Sequence, residues 1–352
     1  MKRKGKLNLA VIMMIFASVC LSTIQVGFSF IGQEVQMGGR ATIVVQKQPE
    51  SIGPALDLVT NSNAEFMQTI TGAETGNGYQ TIIKADDGVE LNNYVKFGEN
   101  ATELWRIVGW TEYGIKVVKD TTLSTSSTSV WDTGNKFWVP VDGTSLPQAI
   151  TVSSLSGSSS LCQYLNSTYY LTMTDPTNQN YINPDYINHT PVWNITPMYS
   201  SGSSNNPQYP TTNKSAVTCT AEMGAEGFYG LPFGILTVEE ICMVASTFNF
   251  SNSNSTSYQY TTFTSSWLKV KEGETEITLS ERHTSSNMSS LPSSISSIFS
   301  LTSTGVRYQN KSFSANYRPC CYLNSNVLLS ANGNGTAGSS TNPFIVTGVN
   351  NA

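Results

Sequence analysis

The chain begins with an abrupt change from charged to apolar positions. Met1–Lys6 carries four basic side chains and no acidic one, and no charge follows from Leu7 to Gln33. Leu9–Ile24 (LAVIMMIFASVCLSTI) is the most apolar stretch, and Leu7–Phe30 supplies 24 residues, against the roughly 20 that span a bilayer as a helix. A basic start ahead of such a run has the form of an export signal or an uncleaved signal-anchor. The basic end then stays in the cytoplasm and everything after Glu34 goes outward. Residues 1–31 are therefore expected to be a signal-anchor or signal peptide, with the membrane as partner. The expected location is a single-pass membrane protein with an extracellular C-terminal domain, or a secreted protein if the leader is cleaved. No Ala-x-Ala cleavage site occurs.

Beyond the leader, the pattern alternates between strand-like runs and long polar tracts. Residues 32–90 form a lead-in, either a stalk or the first part of the domain. It contains the strand-like run Ala41–Val45, a helix expected around Ala55–Ile70, and a break at Gly72–Gly78. The domain proper is expected over residues 91–352. Tyr94–Phe97, Leu104–Trp110 and Ile115–Lys119 alternate apolar and polar positions, with a short Gly-containing turn at Thr111–Gly114. They predict a three-stranded antiparallel meander. Ser160–Met173 has Leu161, Leu165, Tyr169 and Met173 at helical spacing behind serine caps. Leu236–Thr247 predicts a second helix, in which Thr237 and Glu240 make a capping box. Residues 177–217 read as a long irregular insertion. Asn332–Gly335 signals a tight turn before a closing strand at Phe344–Val346.

Composition narrows the function classes. Ser, Thr and Asn number 46, 40 and 30, while only 12% of the 352 residues are charged. The chain has exchanged charge for neutral hydrogen-bonding groups, and 16 Tyr, 14 Phe and 6 Trp still provide bulk for a core. Without residues 1–31, 15 basic side chains face 24 acidic ones, a balance of −9. Nucleic acid and anionic surfaces are poor partners for such a chain.

The ordered set of pieces resembles a family of uncharacterised exported proteins of Gram-positive bacteria. The matching residues are Leu104–Val108 with Ile115–Val118; Ser160-Leu161, Tyr164–Asn166 and Tyr169-Tyr170; Gly234–Thr237 with Glu239–Ile241 and Ala245; Trp267-Leu268; Val306; Arg318-Pro319; Tyr322-Leu323; Asn332-Gly333 and Gly335-Thr336; and Asn342–Phe344. The family carries a domain of unknown function related in outline to C-type-lectin and formylglycine-generating folds. The resemblance implies an α+β fold: one lectin-like domain of twisted antiparallel strands with two short helices and long loops. It implies no reaction. Cys320-Cys321 stands where the family commonly has Val or Ile after Arg-Pro. Lys4-Gly5 imitates a prepilin cleavage point, but Lys6 follows it and Ala10 stands where a pilin has Glu.

Candidate chemistry is sparse. Cys162, Cys219, Cys242, Cys320 and Cys321 include no C-x-x-C pair, so they are expected as disulfides or thiols rather than a zinc or redox motif. Adjacent strand residues point oppositely, so one of Cys320 and Cys321 should face the core and the other a partner. With two histidines in all, a multi-histidine metal site is excluded. His189 falls in the insertion and His283 in what reads as a polar turn, Glu281–His283. Asp86-Asp87 and Glu239-Glu240 are the adjacent carboxylates, and the second pair suits a helix start. Asn183–Asp185 with Trp193-Asn194 faintly echoes a lectin calcium site but lacks its first acidic residue, so no metal and no cofactor is expected. Trp131, Trp138, Tyr181, Tyr186, Trp193 and Tyr199 are aromatic residues in polar loops, suited to ligand contact or to pinning the loops down. The expectation is a non-enzymatic surface domain that binds an extracellular glycan or protein. A pilin-like envelope subunit is the alternative, and a glycan-active or thiol enzyme a more distant one.

Overall fold

The structure, a computed structural model, describes residues 35–37, 41–43, 54–69, 79–111, 113–123, 132, 158–189, 198–199, 231–247, 265–283, 297–331 and 336–350. The chain divides into two compact units, Met1–Ile52 and Gly53–Ala352. In the first, β1 (Val35–Met37) and β2 (Ala41–Ile43) pair antiparallel. The expected membrane segment lies outside the described residues, and no helix among these is long and apolar enough to cross a membrane.

The second unit is α+β and mostly strand. Its main sheet is built on the expected meander: β5 (Tyr94–Lys96), β6 (Trp105–Thr111) and β7 (Gly114–Lys119) pair antiparallel in sequence. β13 (Pro319–Leu323) continues the sheet beyond β7 and ends on β9 (Gly234–Ile235). On the other side, β15 (Phe344–Val349) lies between β5 and β14 (Val327–Ser330). Its pairing with β5 is parallel, where the sequence suggests an antiparallel set. A second sheet holds β10 (Thr275–His283), β11 (Ser297–Thr302), β12 (Gly305–Asn310) and the parallel strand β8 (Met198–Tyr199). His283 therefore ends a strand rather than sitting in a polar turn.

The lead-in joins the folded unit well before residue 91. α1 (Pro54–Asn63) packs against β14, and Asn63 exchanges side-chain bonds with the backbone of Asn92: its Nδ2 donates to Asn92 O at 2.8 Å and its Oδ1 accepts from Asn92 N at 2.9 Å. β3 (Met67–Thr69) pairs with β4 (Tyr79–Ile83), which pairs with the second half of β6, alongside β5 on the first half. Gly109 makes that approach possible, because a Cβ there would lie 2.3 Å from the Thr81 carbonyl oxygen.

The predicted helices form with local differences. α2 (Ser160–Tyr164) starts at Ser159, whose hydroxyl accepts from Cys162 N, and runs through a π turn at Leu165–Tyr169 into α3 (Tyr170–Met173). The wider turn carries Asn166, whose amide bonds both the N–H and the C=O of Phe233, each at 2.9 Å. α4 (Val238–Met243) is capped by Thr237 and Glu240 in the expected reciprocal box. β7 and β13 are buried along their whole length, so the centre of the sheet is covered on both faces. The largest fully buried side chains include Trp105, Trp110, Phe233 and Phe344.

Candidate ligand cleft

Three polar segments converge beside the meander on a cavity of about 280 Å³. Tyr94 on β5 and Arg106 on β6 are cross-strand partners, so their side chains leave the sheet together. Trp267 arrives from the turn before β10 and closes over the same guanidinium. Arg106 Cζ lies 4.5 Å from the Tyr94 ring centre and 4.2 Å from that of Trp267, a cation held between two aromatic faces. Its edge is also fixed, since Nε and Nη2 donate to Asn93 Oδ1 at 3.0 and 2.9 Å. Trp267 is set by its own Nε1–H, which donates to the Ile83 carbonyl at 2.9 Å. Both chemically distinct parts of the sandwich are thus anchored to the strands beneath.

The floor is a second arginine. Arg318 precedes β13, and its Nε donates to both oxygens of Glu276 on β10 at 2.9 Å, while Nη2 reaches the Leu268 carbonyl at 2.6 Å. Glu276 is 1% exposed. Burial pushes its carboxyl above the usual range, and the Arg318 charge opposes that shift. Arg106 is lowered from the ordinary guanidinium value, first by burial and also by repulsion from Arg318; Tyr94 and Asp120 act in the other direction. It remains a cation. The rim carries Asp87 paired with Lys269 at 2.5 Å, Glu274 accepting from Thr122 at 2.9 Å, and Asp120 and Lys271. Asp120 makes no side-chain hydrogen bond among the described residues, and the same holds for Nη1 of Arg106.

No protein-family model matches the chain, and no curated protein or solved structure matches it either.

Of the aromatic residues expected to contact a ligand, Tyr181 and Tyr186 do not line the cleft. Tyr181 and Tyr186 lie in the loop after α3, both partly exposed, and Tyr186 belongs to a short 3-10 turn, Pro184–Tyr186. That turn is capped by Asn183, whose Oδ1 accepts from Asp185 N at 3.0 Å; Asn194, the other part of the faint calcium echo, lies outside the described residues. Among the described residues no group of acids, histidines or cysteines could hold a metal. Tyr199 is in β8; Trp131, Trp138 and Trp193 lie outside the described residues.

The described cysteines are interior. Cys162, Cys242, Cys320 and Cys321 are all buried, and Cys219 lies outside the described residues. Cys162, Cys320 and Cys321 are thiols; burial pushes Cys162 up to about 12 and raises Cys320 and Cys321 as well. The expectation that one of the vicinal pair faces a partner fails, because β13 is covered on both faces. Glu240, read from sequence as a helix-start charge, also has a deeper role. It is ion-paired with Lys116, and its Oε1 accepts from Tyr79 Oη at 2.9 Å.

Sequence reasoning missed Arg106, Asp120, Trp267, Glu276 and Arg318 as one site. The available signal was an arginine within an apolar strand, Trp105–Val108, and an Arg-Pro pair before another. Each is too short to show that they meet.

Proposed function

We propose that this protein is an exported cell-surface protein, held by its N-terminal apolar segment, whose lectin-like α+β domain binds an extracellular ligand without transforming it. The ligand cleft is the one around Arg106. The carrying observation is the clamped guanidinium: Tyr94, Trp267 and Asn93 fix its position before any ligand arrives. A donor held in place loses little entropy on binding, which is how a small polar site gains affinity. The leader supports the surface location, and the attachment of the closing strand β15 to the meander through β5 supports one folded body. Glu276, the buried acid of the cleft, is committed to Arg318, which favours binding over proton transfer.

The test is binding of the full chain to arrays of glycans and peptides, with an Arg106→Gln variant whose thermal melt matches the parent. Binding lost in the variant supports the reading. Binding that survives it moves the site elsewhere, and no binding on any array overturns it. Protease treatment of intact cells checks the location, and a domain protected from digestion contradicts surface display.

A further inference from the structure

The geometry points to a small zwitterion as the ligand: a free amino acid or dipeptide, whose carboxylate meets Arg106 and whose ammonium meets Asp120. This deepens the binding reading above and rests on it. Four acids and four bases line the cavity, so it prefers no net sign. Several of these charges are already consumed. Asp87 is paired with Lys269 at 2.5 Å and Glu276 with Arg318 at 2.9 Å. Arg106 and Lys271 remain as cations and Asp120 and Glu274 as anions; Glu274 already accepts from Thr122, and Arg106 is the cation fixed in place, with Nη1 and the Asp120 carboxylate free of hydrogen bonds among the described residues. A guanidinium donor aimed at a carboxylate and a carboxylate aimed at an ammonium are the strong, charge-assisted bonds of small-molecule sites.

Two further observations separate this ligand from a neutral saccharide. Sugar stacking needs a bare aromatic face, and the guanidinium covers one face of Tyr94 and one of Trp267, at 4.5 and 4.2 Å from the ring centres. Trp267 is only 7% exposed, which leaves no second face. The cavity of about 280 Å³ is also at the small end of ligand sites, which run from roughly 300 to 1,000 Å³. It suits one or two residues of a peptide rather than an extended chain.

The experiment titrates the full chain with the common free amino acids, alanylalanine, the N-acetylated and C-amidated forms of that dipeptide, and glucose, followed by tryptophan fluorescence and calorimetry. Saturable binding of a free zwitterion is expected, and blocking either end should weaken it by about tenfold or more. Asp120→Asn, at a partly exposed position, should weaken the free dipeptide by a similar factor while leaving its N-acetylated form unchanged. Equal binding of free and blocked dipeptides overturns the inference, and so does saturation by glucose with no response to any zwitterion; either result leaves the cleft a binding site. If nothing titrates, the inference falls; if Arg106→Gln also changes no array signal, the binding reading falls with it.

Discussion

Lys116 on β7 and Glu240 on α4, 124 residues apart in the chain, form an ion pair in the protein interior with both side chains almost wholly shielded from water. The pair joins the middle of the main sheet to the helix that follows β9. The Lys116 ammonium also lies 4.9 Å from the Tyr322 ring centre, and Tyr79 donates to the same carboxylate oxygen that the lysine contacts. Desolvation alone would lower the lysine pKa, but the charge of Glu240 more than reverses it, so the net direction is up.

Removing one member should be far worse than removing both. Glu240→Gln leaves a buried ammonium without its counter-charge, at a cost of about 3–5 kcal/mol. The double variant Lys116→Met with Glu240→Gln should recover most of that, since well-packed neutral groups often match a buried pair. Urea unfolding of the two variants and the parent tests this. Equal losses in single and double variants would place the cost in the lost cap or in packing.

Alkali should unfold the protein earlier than its composition suggests. Folding raises the pKa of Cys162 to about 12 and raises those of Cys320, Cys321, Tyr79, Tyr169, Tyr322 and Lys116. The unfolded chain releases these protons first, so the folded state binds more of them and stability falls as pH rises. The decline should begin near the unfolded cysteine value of about 8.5 and steepen past about 10, where tyrosine and lysine join. Melting temperatures between neutral pH and pH 11 check the slope, and a flat profile would contradict it.

The buried thiols should resist modification until the fold opens. Cys162, Cys320 and Cys321 are inaccessible and held protonated, whereas the thiolate is the reactive form. Iodoacetamide labelling mapped by peptide mass spectrometry should leave these three unmodified in buffer and modify them together across the urea transition. Rapid labelling of either Cys320 or Cys321 in native buffer would mean that β13 is open on one side.

Gly109→Ala should dislodge β4. The new methyl would stand 2.3 Å from the Thr81 backbone oxygen, which cannot move aside without breaking the pairing of Ile82 with residue 109. A destabilisation of roughly 1–3 kcal/mol or more is expected, with hydrogen-exchange protection lost first in β3 and β4.

What sequence could say about the fold depended on how each strand buries itself. β5 to β7 were legible because apolar and polar positions alternate, and α4 because Thr237 and Glu240 are spaced for a reciprocal cap. β10 and β11 were not, because their inward positions are partly hydroxyls, and β12 buries only its first two residues, Gly305 and Val306. Thr278, Ser280 and Ser300 are fully buried. Thr278 donates to the Phe299 carbonyl at 2.7 Å, and the Ser280 hydroxyl accepts from Val238 N at 3.0 Å. A satisfied hydroxyl can fill a core position, but it erases the periodicity by which a strand is recognised. The cleft was hidden for a different reason. Arg106 and Trp267 are 161 positions apart and meet only once β4, whose Ile83 carbonyl holds the indole, is in the sheet.

The place of β15 has a consequence for biogenesis. It lies inside the strand order, with β14 on one flank and β5 on the other, so these early and late strands cannot be joined until residue 349 has been synthesised. A nascent polypeptide emerging from the ribosome would expose unpaired backbone along one edge of β5 until β15 followed it, and so stay open to wrong pairing over most of its synthesis.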